Sequence, residues 1–269
     1  MSAVAGASWL KRHGLAVDAT ALGRMGGRAP APPSERREPN LATRPKQPFT
    51  LAGADLYRLS CQACHGPEGA GSPPEINSLL GPVQGTSAAW LVQQFREKGR
   101  PVDEAFLEEI AASAKGDLRA RLRNGGEKMP PFDHLHADEV GALVGHLEKL
   151  SRVPDASLTD QLLTVPAARV GELLVKGTCR TCHDATGPGV GRMMGRRMMG
   201  QMMLRENIPS LASLGAEATV GEVIAKVRDG SSRMMMPMMG PPKMPVFPYL
   251  TPAEISAALV YLAAYPPKP

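Results

Sequence analysis

Aromatic residues are scarce in this chain: five Phe, four Tyr and two Trp among 269 residues. Large aromatics supply much of the buried area of an ordinary core. A chain this poor in them either packs aliphatic helices tightly or borrows a flat apolar surface from a bound group. Long hydrophobic runs are also missing. No stretch reaches the roughly 18 apolar residues that a membrane-spanning helix needs. A basic stripe with interleaved aromatics is absent too, although the net charge is +5. Residues 1–50 hold eight Lys and Arg against three Asp and Glu, which accounts for the whole excess. Residues 51–152 sum to −3 and residues 153–269 to +3. The basic balance therefore does not point to nucleic acid. Residues 1–23 lack a readable export signal, because their apolar part is short and Asp18 interrupts it. Residues 24–50 are rich in Pro and Arg, and the expectation for 1–50 is a disordered tail.

Cysteine is sparse but arranged. The four fall as Cys61-Gln-Ala-Cys64-His65 and Cys179-Arg-Thr-Cys182-His183, with none left over. Two thiols three residues apart on a helical turn can reach the two vinyl groups of one porphyrin. The histidine that follows then turns its imidazole toward the iron. A redox C-x-x-C and a four-cysteine zinc ribbon are the alternatives. Neither needs His directly after both pairs, and a ribbon does not need its two pairs offset by 118 positions.

The chain also repeats itself. Gly53, Tyr57 and Cys61 recur at the same spacing as Gly171, Val175 and Cys179. MPPFDHLHADEV at 129–140 aligns with MPVFPYLTPAEI at 244–255. Each copy runs into an amphipathic helix, carrying Val140, Leu143, Val144, Leu147 and Leu150 in the first and Ile255, Leu259 and Leu262 in the second. Thr251-Pro252-Ala253-Glu254 has the form of a capping box with Pro in the first turn. Ile76-Asn77-Ser78-Leu79 matches Ile208-Pro209-Ser210-Leu211, and Leu122-Arg123-Asn124-Gly125 matches Val227-Arg228-Asp229-Gly230.

With these landmarks, each half resembles a class I cytochrome c domain. The resemblance implies an all-α fold of two tandem domains, 51–152 and 166–269, joined by a linker at 153–165. It implies two covalently attached haem c groups. The first would be held by Cys61, Cys64, His65 and Met129, the second by Cys179, Cys182, His183 and Met244, with His proximal and Met distal. In the family a P-x-L loop accepts a hydrogen bond from the proximal His through a backbone carbonyl. Pro209 matches that position, whereas Asn77 replaces the proline in the first domain. A haem in each domain also accounts for the scarcity of aromatics.

The domains differ by insertions. Ser78 to Gly125 spans 47 positions against 20 from Ser210 to Gly230, so the first domain should carry extra helix. Trp90, Leu91, Phe95, Phe106, Leu107, Ile110, Leu118 and Leu122 read as its core-facing stripes. The second domain holds two Met-rich insertions, RMMGRRMMGQMM at 192–203 and RMMMPMMGPPKMP at 233–245, with twelve of the fifteen methionines. Met244 alone keeps the M-P-x-F spacing to the last helix, and Met236 is its nearest rival. The remaining methionines suit flexible packing at a haem edge, a Cu(I) site or an adaptable docking surface. His134 and His136 align with Tyr249 and Thr251, which marks a loop residue and a capping position rather than ligands; His146 falls inside the last helix of the first domain.

Two His/Met sites leave no open coordination position. The expected function is thus single-electron transfer between redox protein partners, not catalysis. Rival readings are a haem enzyme, like di-haem peroxidases or thiosulfate dehydrogenases, or the cytochrome subunit of a larger, membrane-associated oxidoreductase. The expected location is periplasmic, where thioether attachment takes place in bacteria. No nucleic-acid partner is expected.

Overall fold

The structure is a computed structural model that describes residues 47–183, 211, 214, 218–230 and 244–266. The tail up to residue 46, Pro209, Met236 and nearly all of the two Met-rich stretches lie outside the described residues.

A three-residue strand, β1 (Phe49–Leu51), leads into α1 (Gly53–Ser60), and the first motif continues as α2 (Gln62–His65). There follow α3 (Leu80–Gln84), α4 (Ala88–Glu97), α5 (Glu104–Asn124) and α6 (Ala137–Leu150). The second half repeats the plan with β2 (Leu163–Val165), α7 (Ala167–Gly177), a single 3-10 turn over Cys179–Thr181, α8 (Val220–Asp229) and α9 (Pro252–Ala264). Local chemistry sets the boundaries. Ser87 and Asp103 accept from the Trp90 and Phe106 N–H groups to start α4 and α5. Thr219 with Glu222, and Thr251 with Glu254, form complete capping boxes. Gly125 and Gly230 end α5 and α8 with φ of 70° and 83°.

In each domain the first helix crosses the last. α1 lies on α6 so closely that a Cβ on Gly53 would sit 2.1 Å from the Ala142 carbonyl oxygen. α7 lies on α9 in the same way, with Gly171 against Ala257 at 2.0 Å. Leu56, Leu59, Leu143, Leu147, Val170, Leu173, Leu174, Ile255 and Leu262 are buried around these crossings. Each contributes about 1.5–3 kcal/mol of apolar burial. Tyr57 stacks on His146, with ring centroids 5.5 Å apart. His146 is thus a packing residue of α6.

Among the described residues the all-α architecture is interrupted by one short ribbon. Phe49, Thr50 and Leu51 pair antiparallel with Val165, Thr164 and Leu163. The segment between the domains is tied down: Ser87 Oγ bonds Asp155, Lys149 bonds Asp160, and Val153 is buried.

The extra helix of the first domain is the pair α4 and α5. Its inward face differs from the expectation. Leu107, Ala111 and Leu122 are buried, with Leu118 packed against the core, but Phe106 is 54% and Ile110 37% exposed. They lie one residue, about 100° of helix turn, off the buried stripe. Among the described elements α5 packs chiefly against α3 and α4, so only one narrow face finds a partner.

The two domains belong to one compact unit, and α1 packs directly on α7. A Cβ on Gly177 would lie 2.6 Å from the Ser60 Cα. Ion pairs flank the contact, Arg58–Glu254 half-buried and Arg169–Glu139 buried. Arg58 of α1 reaches Glu254 at 2.5 and 2.7 Å, and Arg169 of α7 reaches Glu139 at 2.5 and 2.8 Å. Both glutamates also cap the helix they begin, accepting the backbone N–H of Thr251 and His136. Removing one partner of such a buried pair costs about 3–5 kcal/mol.

Candidate functional site

The two C-x-x-C-H motifs begin where α1 and α7 end. In each, the backbone keeps a helical turn, with His65 N–H to Cys61 O at 3.0 Å and His183 N–H to Cys179 O at 2.9 Å. That turn keeps the two thiols and the imidazole of one motif together. The residue just before each first cysteine is a hydroxyl, and each crosses to the other domain. Ser60 Oγ donates to the Leu173 carbonyl at 3.3 Å, and Thr178 Oγ1 to the Leu59 carbonyl at 2.8 Å. The motifs therefore start side by side at the domain interface. Cys64 and Cys182 approach closely enough that the second thiol adds to burial in raising the pKa of the first.

The thiol chemistry separates the readings. All four cysteines are free. Burial, with a smaller contribution from the neighbouring thiol, pushes both Cys61 and Cys179 up to about 12. A redox C-x-x-C needs the opposite shift, toward a stable thiolate. Among the described residues no three His, Cys, Asp or Glu side chains converge as a metal cluster.

In the first domain the loop after the motif folds back on it. Gly71, at φ 70°, donates its N–H to the His65 carbonyl at 2.9 Å, and a Cβ there would meet the Ile76 and Asn77 carbonyls at 2.4 and 2.8 Å. The His65 Nδ1 is buried without a hydrogen-bond partner among the described residues. Burial lowers the His65 pKa, and the adjacent Asn77 backbone partly offsets this. Asn77 thus stands where the resemblance placed a carbonyl acceptor, without the proline. An orphaned imidazole nitrogen beside a carbonyl, on the same turn as two free thiols, fits a proximal ligand and its tether.

The distal segments match between domains. Met129 is half-buried against the core, and its carbonyl accepts the Gly126 N–H at 2.8 Å. Phe132 N–H bonds the Leu122 carbonyl at 2.8 Å, and Phe247 N–H bonds the Val227 carbonyl at the same length. These are equivalent residues of the repeat, so Met129 and Met244 occupy equivalent registers. His136 is the N-cap residue of α6. His134 is buried with both ring nitrogens unpartnered among the described residues, and burial with Arg180, Lys176 and Arg169 pushes it down to about 3.

Sequence reasoning missed the interface residues Arg58, Ser60, Arg169, Thr178 and Arg180. The readable signal was a hydroxyl directly before the first cysteine in both copies. Arg169 and Arg180 align with Leu51 and Gln62 and so do not repeat, and the partners that Arg58, Arg169 and Arg180 find on the opposite domain leave no local trace.

Comparison with known proteins agrees with this geometry. The family described as cytochrome c oxidase, cbb3-type, subunit III matches residues 49–147, and the family described as cytochrome c matches residues 167–265. Proteins of Mycobacterium bovis and Mycobacterium tuberculosis named cytochrome bc1 complex cytochrome c subunit are 27% identical over 140 residues, covering 51% of this chain and 43% of theirs. The chain thus spans less than half the length of these relatives. No solved structure matches. Two first-to-last helix crossings, each leading into C-x-x-C-H, and two family matches that divide at the same place make the chain a c-type cytochrome built of two cytochrome c-type domains in tandem.

Proposed function

We propose that the chain relays single electrons through two covalent haem c groups, one per domain. Cys61 and Cys64 would tether the first, with His65 and Met129 holding its iron. Cys179 and Cys182 would tether the second, with His183 and Met244. Haem c supplies a one-electron iron couple, and His/Met ligation places its potential high. The protein's own part is to hold the ligands and exclude water. The Asn77 carbonyl lies beside the His65 imidazole, and the repeated Phe-to-helix hydrogen bond fixes each methionine segment. The observation that carries the reading is the meeting of the two motifs at Ser60 and Thr178. It sets both attachment points at one interface, which suits transfer from one domain to the other. The relatives' printed name, the cytochrome c subunit of a cytochrome bc1 complex, supports a role for this chain as the cytochrome subunit of a larger oxidoreductase; the periplasmic side, where haem c is attached in bacteria, is the matching location. Among the described residues no helix is long and apolar enough to cross a membrane.

A redox titration followed by visible absorption, paired with carbon monoxide mixing, tests this. Two one-electron steps, with no rapid carbon monoxide binding to the ferrous protein, are expected. Rapid binding at one haem would instead identify an open iron and favour the enzyme reading.

A further inference from the structure

Three arginines cross the domain interface, and one differs from the others. Arg58 and Arg169 each meet a carboxylate, Glu254 and Glu139. Arg180, between the two cysteines of the second motif, is 5% exposed and has no ion-paired carboxylate among the described residues. Its guanidinium donates to the Pro131 carbonyl and lies over the Phe132 ring, 5.9 Å from the centroid. Its Nε is buried without a partner among the described residues. Burying a guanidinium this way is unfavourable unless its contacts are well placed. Both contacts fall within three residues of Met129.

The segment they grip is stiff. Met129 is followed by Pro130 and Pro131, whose rings fix the backbone φ. The first domain holds this segment through Gly126 N–H to Met129 O and Phe132 N–H to Leu122 O. Gly125, at φ 70°, permits the close approach, since a Cβ there would lie 2.5 Å from the Met129 carbonyl oxygen. Arg180 adds a hold from the second domain. The arrangement is not reciprocal. Gln62 stands at the matching place in the first motif, and among the described residues Arg58 reaches the second domain's segment at Tyr249, five residues beyond Met244.

We propose that Arg180 of the second motif is a positioning residue for the first haem, holding Met129 at its iron through the Pro131 carbonyl and the Phe132 ring. Axial ligation in the first domain therefore depends on the second domain. This rests on the assignment of Met129 as a ligand.

The test uses the full holoprotein carrying Met244→Ala, in which Met129 is the one remaining source of the Met–iron charge-transfer band. Imidazole is titrated against that band in the parent and in variants Arg180→Ala, Arg180→Gln and Arg180→Lys. Losing the charge-assisted contact should lower the half-displacing imidazole concentration roughly tenfold in the Ala and Gln variants. Lys, which keeps a charged donor, should restore most of the difference. Arg58→Ala, which opens an interface ion pair without touching the Met129 segment, should leave the titration unchanged. Unchanged displacement in Arg180→Ala, or in Arg180→Gln if the Ala variant does not fold, overturns the inference alone. Equal weakening by Arg58→Ala also overturns it, since general loosening of the interface would then suffice. A parent without the band overturns the Met129 assignment and the inference with it.

Discussion

Gly171→Ala is expected to destabilise the protein by more than about 3 kcal/mol, although alanine is the better helix former by about 1 kcal/mol. The added Cβ would lie 2.0 Å from the Ala257 carbonyl oxygen and 2.8 Å from the Tyr261 Cβ. Backbone cannot yield at that distance, so α7 and α9 must separate. Separation withdraws Val170, Leu173, Leu174, Ile255 and Leu262 from close packing. It also shifts Thr178 and Cys179, which continue directly from α7. Gly116 provides the contrast. It lies in α5 with open space where a Cβ would go, so Gly116→Ala should stabilise by about 0.5–1 kcal/mol. Thermal unfolding of the two holoprotein variants checks the pair. Similar midpoints in both would show that the α7–α9 crossing is looser than the structure places it.

The second large effect concerns the distal ligands. Met129→Ala and Met244→Ala should each remove the Met–iron charge-transfer band of one haem. Each should lower that haem's potential by roughly 0.1–0.3 V, a fraction of the about 0.8 V over which axial ligands set haem potentials. The other haem should keep both band and potential. Met236→Ala should change neither. The reason lies in register. Met244 stands three residues before Phe247, whose N–H bonds the Val227 carbonyl, as Met129 stands three before Phe132, bonded to Leu122. Met236 has no phenylalanine at that spacing. Loss of the band in Met236→Ala, with Met244→Ala unchanged, would transfer the assignment.

Most of the fold could be read from residues because it is local and duplicated. Gly53 and Gly171 stood out as repeated, and each proves to be the point where two helices touch. Gly125 and Gly230 stood out as helix ends, and both take positive φ. The Thr251 capping box could be read from four consecutive residues. Contacts between the copies left no such trace. Arg58 and Glu254 are 196 positions apart, and nothing in the spacing of either reveals the other. Pairing of residues 49–51 with 163–165 is equally remote in sequence. Phe106 and Ile110 show a different limit. Hydrophobic period reveals a helix and its apolar positions, but two adjacent stripes on α5 compete, and only packing decides which one is covered. Burial of Leu107 and Leu122 settles it for this helix.

The central claim, one covalent haem in each domain, is tested most directly by the intact mass of the purified chain after acid-acetone extraction. The expected product is a polypeptide carrying the mass of two haem c groups. One group is expected after Cys61→Ser with Cys64→Ser, and one after Cys179→Ser with Cys182→Ser. A chain that sheds all porphyrin on extraction, or that holds zinc and no haem, would contradict it.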